Sequence, residues 1–139
     1  MGLNIRTPEL TEGFMEETGS TVLRNARVDT ASTAGEVVKL DSYSGGIIVT
    51  PITATTDAIY GTIPFTPKTD AFAINDVVRV VVANAIIVKT ASEAITVGAL
   101  LEIDPSTMKV AIQNTGTLYG TALQVATEDG DLIKVEMGR

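Results

Sequence analysis

The chain has 139 residues, with neither Cys nor His, and carries 17 acidic against 10 basic side chains, a formal net charge of −7 at pH 7. Disulfides, thiolate nucleophiles, imidazole bases and His or Cys metal ligands are excluded from the outset. Acidity without a clustered basic face argues against nucleic acid as a partner, while 45% hydrophobic residues with only 4% aromatics suit a single β-rich domain large enough to bury its own core.

The first twenty residues mix charges and glycines with isolated apolar side chains, Leu3, Ile5, Leu10, Phe14 and Met15. They are expected to form an extended N-terminal arm (1–20) that orders on a partner through those five anchors. Thr7 and Pro8 could cap and open a short helix, which Gly13 and Gly19 would end. The opening residues hold no apolar run of signal-peptide length, and no stretch of 18 apolar residues follows, so the expected setting is soluble, made in a host cytoplasm, with no membrane partner.

From residue 21 the pattern changes to short β-branched runs punctuated by Gly, Asp, Asn, Ser and Pro. Strands are expected over 22–28, 36–40, 46–50, 58–63, 77–83, 85–89, 99–103, 108–112, 118–125 and 131–137. Ala83-Asn84 would form a tight hairpin between two apolar runs. Those runs, rich in Val and Ile, expect cover on both faces, so Val80, Val82, Ile86 and Val88 are candidates for a subunit interface.

An internal repeat organises the body. Thr30-Ala31-Ser32 recurs as Thr90-Ala91-Ser92, and the run from Ala34-Gly35 to Asp41 as that from Val97-Gly98 to Asp104. Tyr60-Gly61-Thr62 recurs as Tyr119-Gly120-Thr121, and Asn75-Asp76 with its following strand as Gly130-Asp131 with its own. The fold class expected is therefore all-β: a small barrel or sandwich built from repeat one (about 21–83) and repeat two (about 84–139), sharing one core because neither copy is large enough alone.

Candidate chemistry is sparse, and no cofactor is expected. Asp41 and Asp104, equivalent in the repeat, form the natural carboxylate pair for hydrolysis, against which stands the common role of Asp in capping a turn. Tyr60 and Tyr119 could donate a proton or stack on a ligand, or simply pack at the core edge with the hydroxyl in solvent. Thr127-Glu128-Asp129-Gly130-Asp131 resembles a calcium loop in its acidity but lacks EF-hand spacing. No phosphate-cradling glycine motif occurs.

Residues 85–139, through Val97-Gly98-Ala99-Leu100-Leu101-Glu102-Ile103-Asp104, Gly120-Thr121-Ala122-Leu123 and Gly130-Asp131-Leu132-Ile133-Lys134-Val135-Glu136-Met137, resemble the C-terminal half of bacteriophage capsid cement proteins. Residues 22–83 share the pattern loosely, departing from it at Pro64-Phe65-Thr66-Pro67-Lys68-Thr69. The resemblance implies a non-enzymatic virion protein on the capsid exterior, a homotrimer that clamps neighbouring copies of the major capsid protein. Two alternatives remain open: a tail, baseplate, head-fibre or bacterial-surface β domain, and a ligand-binding barrel or enzyme using Asp41, Asp104, Tyr60 or Tyr119.

Overall fold

The computed structural model describes residues 11–66 and 71–137, and these contain eleven strands and no helix. In chain order they are β1 (Met15–Val28), β2 (Ser32–Thr33), β3 (Val37–Tyr43), β4 (Ile47–Pro51), β5 (Gly61–Thr62), β6 (Ala71–Phe72), β7 (Val77–Thr90), β8 (Leu100–Asp104), β9 (Lys109–Ile112), β10 (Gly120–Ala122) and β11 (Leu132–Met137). β2 and β6 form a separate two-stranded ladder.

The other nine strands curl into two rings that share β7. In the first, β1 lies parallel to β4, and β4–β3, β3–β5, β5–β7 and β7–β1 pair antiparallel, closing five strands on themselves. In the second, β7–β11, β11–β10, β10–β8 and β8–β9 pair antiparallel, and a parallel bridge from Ala91, one residue past β7, to Val110 of β9 returns the ring to its start. Closure covers much of the edge that an unrolled sheet would expose.

The recurring blocks other than Thr-Ala-Ser make matching hydrogen bonds; Thr30-Ala31-Ser32 does not correspond to Thr90-Ala91-Ser92, because Val28 rather than Ala31 makes the bonds that Ala91 makes. Val28 donates to the Asp76 carbonyl (3.1 Å) and accepts from Asn75 (2.8 Å); Ala91 does the same with Asp131 and Gly130 (both 2.8 Å). Gly35 donates to Ile63 (2.7 Å) and Gly98 to Ala122 (2.8 Å), while Tyr60 donates to Val38 (2.8 Å) and Tyr119 to Leu101 (2.7 Å). The Tyr-Gly-Thr blocks recur for a steric reason. A Cβ on Gly61 would lie 2.3 Å from the Val81 carbonyl oxygen, and one on Gly120 would lie 2.4 Å from that of Glu136, so only glycine lets these strands pass so close to their neighbours.

Ala83-Asn84 is not a hairpin, and this corrects the sequence expectation. A two-residue type I′ turn needs positive φ at both positions, whereas Asn84 alone has it (φ 61°), and both flanking runs find partners along one continuous strand. The chain opposite yields instead: β1 shifts register between Glu17 and Leu23, and the bulged Thr18 and Thr21 hydroxyls donate to the Asn84 carbonyl at 2.7 and 2.9 Å. The other expected strands survive at similar places, with 58–63 and 118–125 reduced to the short β5 and β10.

The double apolarity of β7 is satisfied within the chain. Val80 packs in one buried cluster with Ala26, Val28, Val38, Val49 and Ile63, whereas Val81, Ala85 and Ile87 join a second, larger cluster with Ile103, Ile133 and Val135. Val80 is 0% and Val88 2% exposed, so neither can offer a subunit interface; Val82 and Ile86 are half-buried. One strand supplies two cores, which is why its sequence reads as apolar on both faces.

The sheet also begins earlier than expected, at Met15 rather than near residue 21. Residues 13–17 lie along the edge of β7 away from β11. Gly13 donates to the Val88 carbonyl (2.8 Å) and Val88 to that of Phe14 (2.9 Å), after which Met15, Glu16 and Glu17 oppose Ile87, Ile86 and Ala85. Phe14 and Met15 are half-buried there; Leu3, Ile5 and Leu10 fall outside the described residues. Charge pins the segment. Glu12 accepts from the Thr90 amide and hydroxyl (both 2.8 Å) and pairs at 2.6 Å with Lys89, which is 0% exposed and also donates to the Gly35 carbonyl. Glu16 pairs with Lys134.

Buried Lys89 therefore joins the N-terminal segment, the Gly35 turn of the first ring and β7. Lys89 is wholly buried while the Glu12 side chain is 31% exposed, so losing the glutamate strands a buried ammonium, whereas losing the lysine leaves a carboxylate that water and the Thr90 donors still reach. Glu12→Ala should lower unfolding free energy by up to about 3 kcal/mol and Lys89→Met by less, read by urea denaturation. Gly61→Ala and Gly120→Ala should each cost about 2–3 kcal/mol by overpacking, against little change for Gly19→Ala, where a Cβ meets nothing within 4 Å.

Candidate functional site

The residues singled out for chemistry are dispersed and already engaged. Asp41 stands exposed on β3, while Asp104 ends β8 and accepts from the Ser106 amide (3.0 Å) and hydroxyl (2.8 Å). Those two bonds, the hydroxyl's first, hold the Asp104 carboxyl below the usual carboxylate range. β3 and β8 do not pair, and among the described residues no hydrogen bond joins the two carboxylates. Asp104 is a turn cap, the commoner role of an aspartate at a strand end.

The tyrosines differ from each other despite their matching positions. Tyr119 is buried, its hydroxyl 2.8 Å from the Thr62 hydroxyl in a contact that links the two rings. Burial pushes its phenol well above the ordinary value. The expectation of a hydroxyl reaching solvent does not hold for it. Tyr60 is half-buried and packs against the first ring's cluster.

The acidic loop before β11 spends its oxygens on its own backbone. Asp131 accepts from the Thr127 amide (2.8 Å) and hydroxyl (2.9 Å) and the Glu128 amide (3.3 Å), which lowers its pKa, and Asp129 pairs with Lys109 at 2.8 Å. Asp57 does the same in the first ring, accepting from the Thr53 and Ala54 amides and from Lys39, and is held at about 2. Among the described residues no group of three or more acidic side chains is placed to hold a metal ion.

What the surface does offer is apolar area and an uneven charge pattern. Tyr43 (76% exposed) and Leu40 (53%) project from β3, and Ile74 and Val77 lie exposed at the start of β7. A cleft of about 450 Å³ lies among Glu12, Gly35, Glu36, Ile52, Thr107 and Lys109; the Glu36 Oε1 buried beside it has no hydrogen-bond partner among the described residues. All four described lysines sit in ion pairs, with Asp57, Glu12, Asp129 and Glu16. Among the described residues no ion pair includes an arginine, and Arg24, Arg27 and Arg79 all stand exposed on the paired strands β1 and β7 of the first ring. The sequence showed these arginines but not their assembly, because Arg79 reaches Asn25 and Arg27 only through the β1–β7 register.

No protein-family model and no curated protein matches the sequence. Among solved structures, the fold is similar to that of the crystal structure of the N base of the head fibre gp8.5 of bacteriophage phi29. The TM-score is 0.56 at 18% identity, covering 85% of this chain and 94% of that one.

Proposed function

We propose that this chain is a structural protein of a bacteriophage head, held on the outer surface of the shell by contacts with the major capsid protein. The observation that carries the reading is the extent of the fold similarity: nearly all of the phi29 head-fibre base is matched by most of this chain. The resemblance of residues 85–139 to capsid cement proteins points to the same place on the particle by a separate route. The chemistry agrees, since Asp104 and Asp131 cap turns and the buried phenol of Tyr119 bridges two rings, uses that suit a rigid non-catalytic module.

Two head-surface roles fit. As a cement protein the chain would bridge neighbouring capsid subunits as a homotrimer; as a fibre base it would anchor a projecting structure. The fold similarity favours the base and the sequence pattern the cement. Both place Leu40 and Tyr43, exposed on a hairpin of the first ring, among the surfaces free to meet another protein.

Purified protein mixed with isolated phage heads and isolated tails, then sedimented, separates the options. We expect saturable binding to heads and none to tails. Copy number then divides the roles, cement approaching the number of symmetry-related sites on the shell and a fibre base falling well below it. Binding to tails alone, or to neither, would contradict a head-surface role. Leu40→Asp with Tyr43→Asp should leave thermal unfolding within a degree or two, because both side chains are exposed, and should reduce head occupancy several-fold.

A further inference from the structure

The two rings differ at one equivalent place: the edge of the second is occupied by residues 13–17, and among the described residues the same edge of the first has no strand beside it. The correspondence follows from register. Asn25 opposes Arg79 as Val88 opposes Lys134, and Arg27 opposes Val77 as Thr90 opposes Leu132. In the second ring Val88 exchanges backbone hydrogen bonds with residues 13 and 14, Thr90 holds Glu12, and Lys134 holds Glu16. In the first ring β1 meets β4 only at Arg27 and Val28, so among the described residues the edge at 22–25 is open.

The amide and carbonyl of Asn25 point to that edge, because residues two apart on a strand direct their backbone groups the same way and Arg27 uses its own towards β4. A cleft of about 150 Å³ opens there between Asn25, Arg27 and the Gly45–Gly46 turn. Where the filled site carries Thr90 and Lys134, the open one carries Arg27 and Arg79, both exposed and neither in an ion pair among the described residues.

We propose that the open edge of β1 at residues 22–25 receives an extended acidic segment of another protein, added antiparallel as a further strand, with carboxylates four residues apart meeting Arg27 and Arg79. The chain supplies the template, since Glu12 and Glu16 have this spacing on the segment that fills the equivalent edge. Main-chain bonds would set the register of the added strand, and guanidinium groups suit carboxylate acceptors by their paired donors. The occupant comes from a different protein because each copy's own acidic segment is already seated on its second ring. The inference does not rest on the head-surface assignment, and either can fail alone.

The probe is a labelled, capped peptide with the sequence of residues 11–18, titrated onto the full chain by fluorescence anisotropy, with amide exchange recorded in parallel. We expect saturable binding with new protection at Leu23–Asn25, weakened at least ten-fold by Arg27→Glu with Arg79→Glu and by replacing the peptide's glutamates with lysine. Both arginines are exposed, so the variant should unfold like the parent; Arg79→Gln alone, a milder change, should weaken binding by a smaller factor. Absence of binding, binding indifferent to the arginine changes, or protection confined to 85–88 would overturn the proposal. Concentration-dependent self-association lost in the arginine variant would place a second copy on the edge and overturn the assignment to a foreign segment.

Discussion

Every other feature of this molecule depends on one strand serving two rings. β7 closes the first with its leading half and opens the second with its trailing half, Val78 and Val80 entering one buried cluster and Val81, Ala85 and Ile87 the other. Val80 and Val81, adjacent in sequence, belong to different cores. A break at Asn84 would separate the rings and uncover both. The bulge in β1 opposite Asn84, with its two threonine hydroxyls on the Asn84 carbonyl, lets the partner strand change register while β7 runs on unbroken, which is the usual service of a bulge.

The seam between the rings is polar where it could have been wholly apolar. Thr62 meets Tyr119 and Lys89 meets Gly35 and Glu12, each contact joining residues from different parts of the chain. A buried hydroxyl pair or ion pair adds little net stability, but it is costly when misaligned. Such contacts restrict the angle at which two similar rings can pack. The matching positions differ accordingly. Val37 and Val81 are buried in the first ring, while Leu100 and Glu136 at the equivalent places in the second are exposed, so the packing between rings is not repeated on the far side.

Much of this was legible in the sequence because it rests on local rules. Gly35, Gly98 and Gly130 mark positive-φ corners, Gly61 and Gly120 mark close strand crossings, and the Asp after Asn75 or Gly130 marks the entry to a strand. The illegible parts depend on tertiary partners. Glu16-Glu17-Thr18-Gly19 has weak β propensity and enters a strand because β7 offers a free edge and Lys134 a charge. Ala83-Asn84 reads as a turn until β1 is seen beside it. Lys89, equivalent in register to Ala26, gives no sign of burial without knowledge of Glu12 and Gly35. Of the residues that stood out for chemistry, Asp104 caps a turn and Tyr119 fills the core, whereas Asp41 stands exposed on β3. The arginine face was missed because it exists only across paired strands.

If the chain belongs on the outside of a phage head, electron cryo-microscopy of native particles carrying it tests that most directly. Density for two side-by-side five-stranded rings is expected on the outer surface of the shell, seated on the major capsid protein. Density on the tail, inside the shell, or nowhere on the particle would contradict it.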